Sequence, residues 1–447
     1  MLKTPFKRYN IAAPRYTSYP TVPYWDTQQW SASAWLKTIR QTAAKHPEGI
    51  SLYIHLPFCE TLCTYCGCNT HITKNHQVEE PYLEAVWKEW QLYKAHLPHP
   101  IQINDLHLGG GTPTFFSAEN LSSFITRLLQ DVTVVSGAEF SFEAHPANTT
   151  TDHLEVLYHL GFRRLSLGIQ DFNMDVQRII NRRQSPADVI RVMQEARKIG
   201  YTSINFDLIY GLPRQNLTRI RETLSMTLAM KPDRIAFYSY AHVPWMKPGQ
   251  RLFTESDLPN DEEKFEFYYE GKKMIKEAGY MDIGMDHFAF PTDSLAMATT
   301  EGKIYRNFMG YTDRPSQLLI GLGVSAISDG VEAYAQNVKN TEEYKQLINQ
   351  GTLALQRGHL LTDEDLLIRE QIQAIMCTHK LDIREYPLSE NTRKRLAPLI
   401  KDAMVKLNAH ELEVTTLGRS FLRNICMAFD ERYAQGKKDE TLFSKAI

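Results

Sequence analysis

Between residues 50 and 244 the sequence alternates between strand-like runs and helix-like stretches. The runs carry apolar residues at every second position, as at Phe140/Phe142 and Ile204/Phe206, which is the period of a half-buried strand. Six runs show the pattern: SLYIHLPF, IQINDLHLGGG, AEFSFEAHP, RRLSLGIQD, TSINFDLIYGLP and DRIAFYSYAHVP. Helix-like stretches cover 82–95, 117–129, 152–160, 186–199 and 217–230. Short connections between strand and helix predict parallel βα units in a complete barrel, a partial barrel or an open sheet.

Polar or glycine-rich residues follow the apolar part of every run. In chain order they are a cysteine-rich loop, GGGTP, Glu143, Gln170, Asp207 and YAHVP. Each has an ordinary structural interpretation when taken alone, such as a helix cap for Glu143 or a loop carboxylate for Asp207. The active sites of βα barrels lie at the carboxyl ends of the strands. Six coincident strand ends therefore favour an active site at this face.

Length and composition set the broad class of the protein. A chain of 447 residues suggests two or three domains, and we expect an N-terminal arm over 1–48, a catalytic domain over 49–360 and a small, mainly helical domain over 361–447. The formal net charge of −2 gives no reason to expect a nucleic-acid partner. No apolar run is long enough to span a bilayer, and the first twenty residues do not resemble a signal peptide. We expect a cytoplasmic protein.

Four of the six cysteines lie within ten residues, at 59, 63, 66 and 68. In a reducing cytoplasm such a cluster predicts metal ligands or catalytic thiols, and not disulfides. A zinc site would need Cys59 with Cys68, or histidines such as His71 and His76, beside the C-x2-C pair. Ferredoxin spacings differ from this one. The two remaining cysteines, Cys377 and Cys426, stand in apolar segments and are interpreted as buried thiols.

The C-x3-C-x2-C spacing resembles that of the radical S-adenosylmethionine (SAM) enzymes. The resemblance implies that Cys59, Cys63 and Cys66 bind three irons of a 4Fe-4S cluster, and that SAM chelates the fourth iron. Reductive cleavage of SAM then gives a 5′-deoxyadenosyl radical, which is chemistry that the cofactor carries. A fourth protein thiolate would close the cluster. Cys68 is therefore expected to be a catalytic residue and not an iron ligand.

Two glycine-rich motifs suggest nucleotide sites only weakly. GLGVSA at 321–326 fits a dinucleotide fingerprint, but SDG at 328–330 interrupts the helix that the fingerprint requires. GGGTP at 109–113 lacks the Gly-Lys-Ser/Thr of a phosphate loop. Glycines at this position let a ligand approach the backbone, which suits SAM.

The chain resembles the oxygen-independent coproporphyrinogen III oxidase family (coproporphyrinogen III dehydrogenase) over nearly its whole length. Matching stretches include PRYTSYPT, YIHLPFCETLCTYCGCN, GGGTPT, LSLGIQDFN, NFDLIYGLP, YAHVP, IGMDHFA, GLGVSAIS and RNICMAFD. The resemblance implies an α/β fold, a partial parallel (β/α) barrel of radical SAM type with an N-terminal arm and a small C-terminal domain. It implies oxidative decarboxylation of two propionates of coproporphyrinogen III to vinyl groups, giving protoporphyrinogen IX in haem biosynthesis. A haem chaperone and a radical haem-ring-opening enzyme are the alternatives.

The resemblance also assigns site residues where the motifs match. It implies that Tyr53, Gly110 and Glu143 contact the SAM on the cluster, with Tyr53, Glu143 and Cys68 catalytic. A second SAM is expected, and its implied contacts are Tyr65, Gly111, Thr112, Gln170, Arg182, Asp207, Ala241 and Ile327.

Further expectations concern the substrate and the partners of the chain. His55 should face the same side of its strand as Tyr53, with a structural hydrogen bond as the other interpretation. Arg15 is a candidate partner for a substrate carboxylate, with a structural ion pair as the alternative. An electron donor and an electron acceptor are expected without being identified, and the chain is expected to be a monomer. EAHP at 143–146 and GYTDRPSQ at 310–317 depart from the usual family pattern.

Overall fold

The computed structural model describes residues 3–436 and 443–446. Its main feature is a sheet of twelve strands, surrounded by helices. In chain order the strands are Ile50–Leu56 (β1), Gln102–Gly110 (β2), Thr133–Ala144 (β3), Phe162–Gln170 (β4), Ser203–Tyr210 (β5), Arg234–Ser239 (β6), Met281–Gly284 (β7), His287–Ala289 (β8), Leu319–Leu322 (β9), Ile327–Asp329 (β10), Ala333–Asn337 (β11) and Leu355–Leu360 (β12).

The strand order across the sheet is β12-β11-β10-β9-β1-β2-β3-β4-β5-β6-β8-β7. The seven neighbours from β9 to β6 pair in parallel, and antiparallel strands extend the sheet on both sides. Tyr53 on β1 pairs with Gly321 on β9 and with His107 on β2. Because β12 and β7 stand at opposite ends of this order, the sheet is not closed. The structure confirms the α/β prediction and selects the partial barrel.

Helices follow the parallel strands within three residues of the predicted bounds. They cover Glu79–Lys94, Ala118–Leu128, Thr151–His159, Pro186–Ile199 and Leu217–Met230. Their ends have the expected chemistry: Ser185 caps the helix that begins with Pro186, and the Asp188 side chain bonds back to the Ser185 backbone. Further helices cover Lys3–Tyr9, Ala32–Lys45, Met174–Ile179, Asp261–Glu277, Ser294–Thr300, Thr341–Asn349, Asp363–Cys377, Glu390–Lys401, Leu422–Met427 and Glu431–Gln435.

The hydrophobic core lies between the sheet and these helices. Leu52 and Ile54 of β1 and Leu106 and Leu108 of β2 have no exposed surface. Their neighbours Tyr53, His55 and His107 project from the other face of the strands, toward the barrel interior. The alternation read from the sequence thus separates core residues from interior residues, and the interior ones supply the site.

The described part of the predicted arm, residues 3–48, contains more regular structure than an arm. A helix over Ala32–Lys45 buries Trp35 and Ile39 completely, and the Ser31 hydroxyl caps its first turn. The polar and apolar positions of this helix were not recognised in the sequence. Upstream, Trp25 stacks on Tyr334 of β11 with ring centroids 5.2 Å apart.

The C-terminal region combines helices with a small antiparallel sheet of Lys380–Asp382, Glu411–Val414 and Val405–Leu407. This region contacts the beginning of the chain: Ala13 N donates to Ser444 O at 3.0 Å, and the Arg423 guanidinium donates to Pro14 O at 3.1 Å. The division into domains at 48 and 360 stays a prediction.

Smaller elements account for two of the sequence features. GLGVSA covers the end of β9 and the turn that leads to β10. It contains no helix, whereas the weak dinucleotide fingerprint noted in the sequence requires one. GYTDRPSQ begins in a hairpin of Tyr305–Asn307 and Gly310–Thr312. The guanidinium of Arg314 in this segment lies close to Gly137, in the first half of β3: a Cβ added at Gly137 would be 3.7 Å from it. That position is far along the strand from Glu143, so this departure does not alter the carboxyl-end face.

Candidate active site

A cavity of about 450 Å³ opens at the carboxyl ends of the parallel strands. Most of the residues singled out in the sequence line it: Arg15, Cys59, Cys63, Tyr65, Cys66, Cys68, Gly110, Gly111, Thr112, Glu143, Gln170, Arg182, Asp207 and Ala241. Tyr53 and Ile327 do not belong to this wall. The fold therefore brings Arg15 and Ala241, which are 226 positions apart in the sequence, to the same cavity.

The cysteine loop forms one side of the cavity. All four thiols are free; Cys59, Cys63 and Cys66 are partly exposed and Cys68 is exposed. The loop turns at Cys66 N, which donates to Cys63 O at 3.1 Å. The Cys59 sulfur lies 3.3 Å from Thr112 Oγ1. All four cysteines of this short segment thus line the cavity.

The donor set fits an iron–sulfur cluster better than a single metal ion. Within residues 3–436 and 443–446, no three side chains of His, Cys, Asp or Glu converge on one ion position, as a zinc site requires. In a 4Fe-4S cluster each thiolate binds a different iron, so convergence on one point is not needed. A buried hydrogen-bond donor also lacks a partner here: Arg182 Nε is enclosed and unpaired, as expected beside a bound anionic group.

The thiols differ in how readily they ionise. A hydrogen bond between Cys66 and Cys68 lowers the pKa of Cys66 to about 6 and raises the pKa of Cys68. Iron binds the thiolate form of cysteine, so each ligand thiol loses its proton on binding. Burial raises the pKa of Cys59 to about 11, so ionisation of this thiol depends on iron binding itself.

Glycines bring bare backbone to the cavity. Gly110 has φ +114°, and an added Cβ would lie 2.6 Å from the His55 ring. At Gly111 an added Cβ would lie 2.6 Å from the Pro57 carbonyl. Neither position accepts a side chain without displacing its neighbours. The absence of side chains at Gly110 and Gly111 therefore lets this segment pack closely against His55 and Pro57 at the cavity wall.

Glu143 projects from the end of β3 into the cavity. Its Oε2 accepts a hydrogen bond from Gly110 N at 3.2 Å, and its Oε1 lies 3.6 Å from His107 Nε2. Burial raises the pKa of Glu143, but the contacts with His107 and the Gly110 N–H outweigh it and hold that pKa below its usual value. The carboxylate is therefore ionised and available to hydroxyl or ammonium groups of a ligand.

Arg182, Gln170 and Asp207 line another part of the cavity, and Arg182 adjoins the cysteine loop. Arg182 Nη2 donates to Gly168 O at 2.5 Å, and Nη1 lies 3.7 Å from the Cys63 sulfur. Gln170 has φ +66°, an unusual conformation for this residue type. Asp207 accepts a hydrogen bond from Ser166 Oγ at 2.8 Å. Burial, with the charge of Glu143, raises the pKa of Asp207 to about 6.

Tyr53 and His55 lie beneath the cysteine loop. The Tyr53 hydroxyl is 3.0 Å from His55 Nδ1, and His55 Nε2 is 2.8 Å from Asn69 O. The two side chains face the same side, as predicted, and the structural hydrogen bond is the role of His55 that the geometry shows. Ile327 begins β10, which is separated from β1 by β9 in the sheet.

Several residues at the site were missed in the sequence. Gln250 is buried, accepts from Val243 N at 2.6 Å and donates to Tyr65 O at 3.1 Å. Lys247 Nζ donates to Cys68 O at 3.0 Å. These residues fasten the loop after β6 to the cysteine loop, and no spacing or periodicity in the sequence indicates that role. Tyr238 also lines the cavity and continues the alternation of its strand, a signal that was present.

His145 shows what the EAHP departure changes. It lines the cavity and its Nδ1 accepts from Ala147 N at 3.2 Å. Burial, with the charge of Arg182, lowers the pKa of His145 to about 3. The position therefore carries a neutral ring beside the cavity.

Arg15 reaches the cavity from the N-terminal region. Its Nη2 donates to Ser239 O at 3.2 Å. The structure shows no ion pair of Arg15 within its described residues, and its charge remains available at the cavity wall.

Comparisons with known proteins agree with this geometry. Residues 53–227 match the model of the radical SAM superfamily. The oxygen-independent coproporphyrinogen III oxidase of Escherichia coli K12 is 39% identical over 99% of this chain and 97% of its own length. The chain belongs to the oxygen-independent coproporphyrinogen III oxidase family. The enzyme of that name from Synechocystis is 38% identical over 98% of this chain and 97% of its own length.

A solved structure extends the match to three dimensions. The coproporphyrinogen III oxidase of E. coli, described as a radical SAM enzyme, superposes with a TM-score of 0.88 at 38% identity, covering 94% of this chain and 99% of its own. Membership of the coproporphyrinogen III oxidase family implies SAM and a 4Fe-4S cluster as cofactors. No helix in the described part of the chain is long and apolar enough to cross a membrane.

Proposed function

We propose that the chain converts two propionate side chains of coproporphyrinogen III into vinyl groups without oxygen, giving protoporphyrinogen IX. The observation that carries this proposal is the match over the whole chain to enzymes of that name, joined to a three-thiol cavity at the carboxyl ends of the strands. Each conversion removes one hydrogen atom, one carbon dioxide and one electron from a propionate. The hydrogen atom passes to the radical, and an external acceptor takes the electron.

In this proposal Cys59, Cys63 and Cys66 hold the cluster and leave one iron free. When bound, the cluster and SAM supply the organic radical that removes a hydrogen atom from the propionate. The residues of the chain position and enclose the reactants. Gly110 offers bare backbone to SAM, and Glu143 offers an ionised carboxylate.

We further propose that the same cavity binds a second SAM. The proposed contacts are Tyr65, Gly111, Thr112, Gln170, Arg182, Asp207, Ala241 and Ile327. The unpaired Nε of Arg182 supports an anionic ligand group there. Tyr53 and Ile327 do not line the cavity. Their proposed contacts are therefore with the edges of a bound ligand.

The decisive test is an anaerobic assay of reconstituted protein with coproporphyrinogen III, SAM and a chemical reductant. We expect two successive mass losses, each of one carbon dioxide and two hydrogens counted on the neutral acid, with 5′-deoxyadenosine as co-product. An opened ring in the products, or haem binding without SAM consumption, would contradict the proposal.

A further inference from the structure

Three cations stand together beside the cysteine loop: Lys247, Lys339 and Arg357. None forms an ion pair with a carboxylate that the structure describes. Burial and the positive charges of Arg357 and Lys247 lower the pKa of Lys339, and burial lowers the pKa of Arg357. A neighbouring carboxylate would raise both values. The group is therefore an uncompensated patch of positive charge.

The end of the cysteine loop contacts two of these residues. Lys247 Nζ donates to Cys68 O at 3.0 Å, and Asn69 Nδ2 donates to the main-chain oxygen of Lys339 at 3.2 Å. The first contact places the Lys247 ammonium beside Cys68, and the second places the main chain of Lys339 beside Asn69. Both residues therefore lie next to the end of the loop that lines the cavity.

The sheet register places the third cation on the same side. Ile327 pairs with Gln336 across β10 and β11, and Gln336 pairs with Arg357 across β11 and β12. Residues directly opposite one another in antiparallel strands project from one face. The contact of Arg357 Nε with Gln336 Oε1 at 2.8 Å agrees with this placement.

We propose that Lys247, Lys339 and Arg357 form a carboxylate-binding rim that holds the propionates of the tetrapyrrole that do not react. This inference rests on the proposed function and adds the substrate contacts. The substrate carries one propionate on each of four rings, and the carboxylates point outward from the macrocycle. They cannot all enter one cavity, so unreacted groups need partners at its mouth.

The chemistry of the rim suits this task. Forked N–H donors of Arg and the ammonium groups of Lys bind carboxylates through charge-assisted hydrogen bonds. Contacts with non-reacting groups can orient the group that does react. Because two propionates survive both decarboxylations, the rim keeps its ligands throughout the reaction.

The test measures binding of the stable porphyrins to anaerobically reconstituted protein by fluorescence. The variants are Lys339→Glu, Arg357→Gln and the rescue variant Arg357→Lys. The control is Lys198→Glu, which changes the same charge at an exposed site before β5, at the other end of the barrel. Thermal melting and iron content establish that each variant is folded and loaded.

We expect Lys339→Glu and Arg357→Gln each to weaken coproporphyrin III binding about tenfold, as for loss of one partly exposed charge-assisted contact. Protoporphyrin IX, which keeps only the unreacted propionates, should weaken by the same factor. Arg357→Lys should restore part of the affinity, and the control should leave it unchanged.

Three other results would contradict the proposed carboxylate-binding rim. They are unaltered porphyrin affinity in folded variants, an equal loss in the control, or a loss confined to SAM measured by equilibrium dialysis. Slower reduction of the cluster by an acidic donor protein, with normal porphyrin binding, would assign the patch to that partner instead. A wild-type protein that makes no vinyl product would contradict the proposed function, whereas wild-type turnover with unaltered variants would contradict only the rim.

Discussion

The thiols of Cys59, Cys63 and Cys66 are the side chains on which the assignment depends most directly. Replacing any one of them with alanine should remove the cluster and all activity, because no other thiolate in the loop occupies the same place. Iron content and visible absorbance after anaerobic reconstitution check this. A single variant that kept a full cluster and consumed SAM would refute the three-ligand assignment.

Cys68 provides the matched comparison within the same loop. Cys68→Ser should keep the iron content and the spectrum but lose most vinyl product. The reason is that the thiol lines the cavity and stays protonated beside Cys66, near enough to act on a reactant. The measurement is product mass beside iron content. Near-normal turnover would reduce Cys68 to a packing role, and loss of the cluster would make it a ligand.

Glu143 tests the SAM site without disturbing iron. Glu143→Gln should leave the cluster intact and weaken SAM binding about tenfold or more, as for loss of one charge-assisted hydrogen bond. Equilibrium dialysis against the reconstituted variant measures the change. The control for a local packing change is Ser141→Ala. Ser141 lies two residues before Glu143 on β3, and its hydroxyl is hydrogen-bonded to His107. Unchanged affinity and turnover in Glu143→Gln would exclude a SAM contact.

The sequence predicted the site better than it predicted the residues that hold the site together. Strand alternation and motif matches located the cysteines, Glu143 and Asp207, because those positions lie in or just after parallel strands, whose carboxyl-terminal halves share one face of the barrel. Gln250 and Lys247 escaped notice because their role depends on where one loop folds over another. Spacing along the chain carries no record of such a contact. The helix over Ala32–Lys45 was missed for a related reason: its apolar face is defined by the sheet edge it covers.

Strand β2 carries a buried carboxyl near its beginning, and the ionisation of Asp105 should make stability depend on pH. Burial and the charge of Glu139 raise the pKa of Asp105 to about 7, from an ordinary value of about 4. The folded state therefore favours the neutral form. The contribution of Asp105 to stability is present at low pH and is lost as the pH rises from about 4 to about 7.

Asp105→Asn replaces the titrating carboxyl with a neutral amide and so removes the loss of stability that accompanies rising pH. Relative to wild type, the melting temperature of the variant should rise between pH 5.5 and pH 8, measured by thermal melting of both proteins in parallel. Glu155→Gln, an exposed carboxyl on the helix Thr151–His159, should track the wild type over the same interval. A constant difference between Asp105→Asn and wild type would show that Asp105 keeps an ordinary pKa.

Arg423 joins the N-terminal arm to the C-terminal region. Its buried guanidinium donates to backbone carbonyls at both ends of the chain: Ala13, Pro14, Ser444, Lys445 and Ala446. Arg423→Met should lower the free energy of unfolding by about 2–4 kcal/mol, since several buried carbonyls lose their donor. It should also make the region around Ala13 more sensitive to proteolysis.

Denaturant unfolding and limited proteolysis measure the two effects. Arg40→Met, an exposed cation on the helix Ala32–Lys45, is the matched control and should change neither. Wild-type stability in Arg423→Met would mean that the arm is held by its apolar contacts, such as the stacking of Trp25 on Tyr334.

The pairing of Ile11 and Ala13 with residues 444–446 sets an order of events during synthesis. A ribosome makes these partners more than four hundred residues apart, and at about 5–20 residues per second the delay is roughly 20–90 s. The last strand of the barrel ends at Leu360, so the strands are complete for only the final part of that interval, roughly 4–17 s for the remaining 84 residues, while the arm still has no carbonyl partners to close against. Arg15, which the docked arm brings to the cavity wall, reaches its place last. The nascent barrel therefore has its cysteine loop accessible to whatever delivers iron before the arm closes over it.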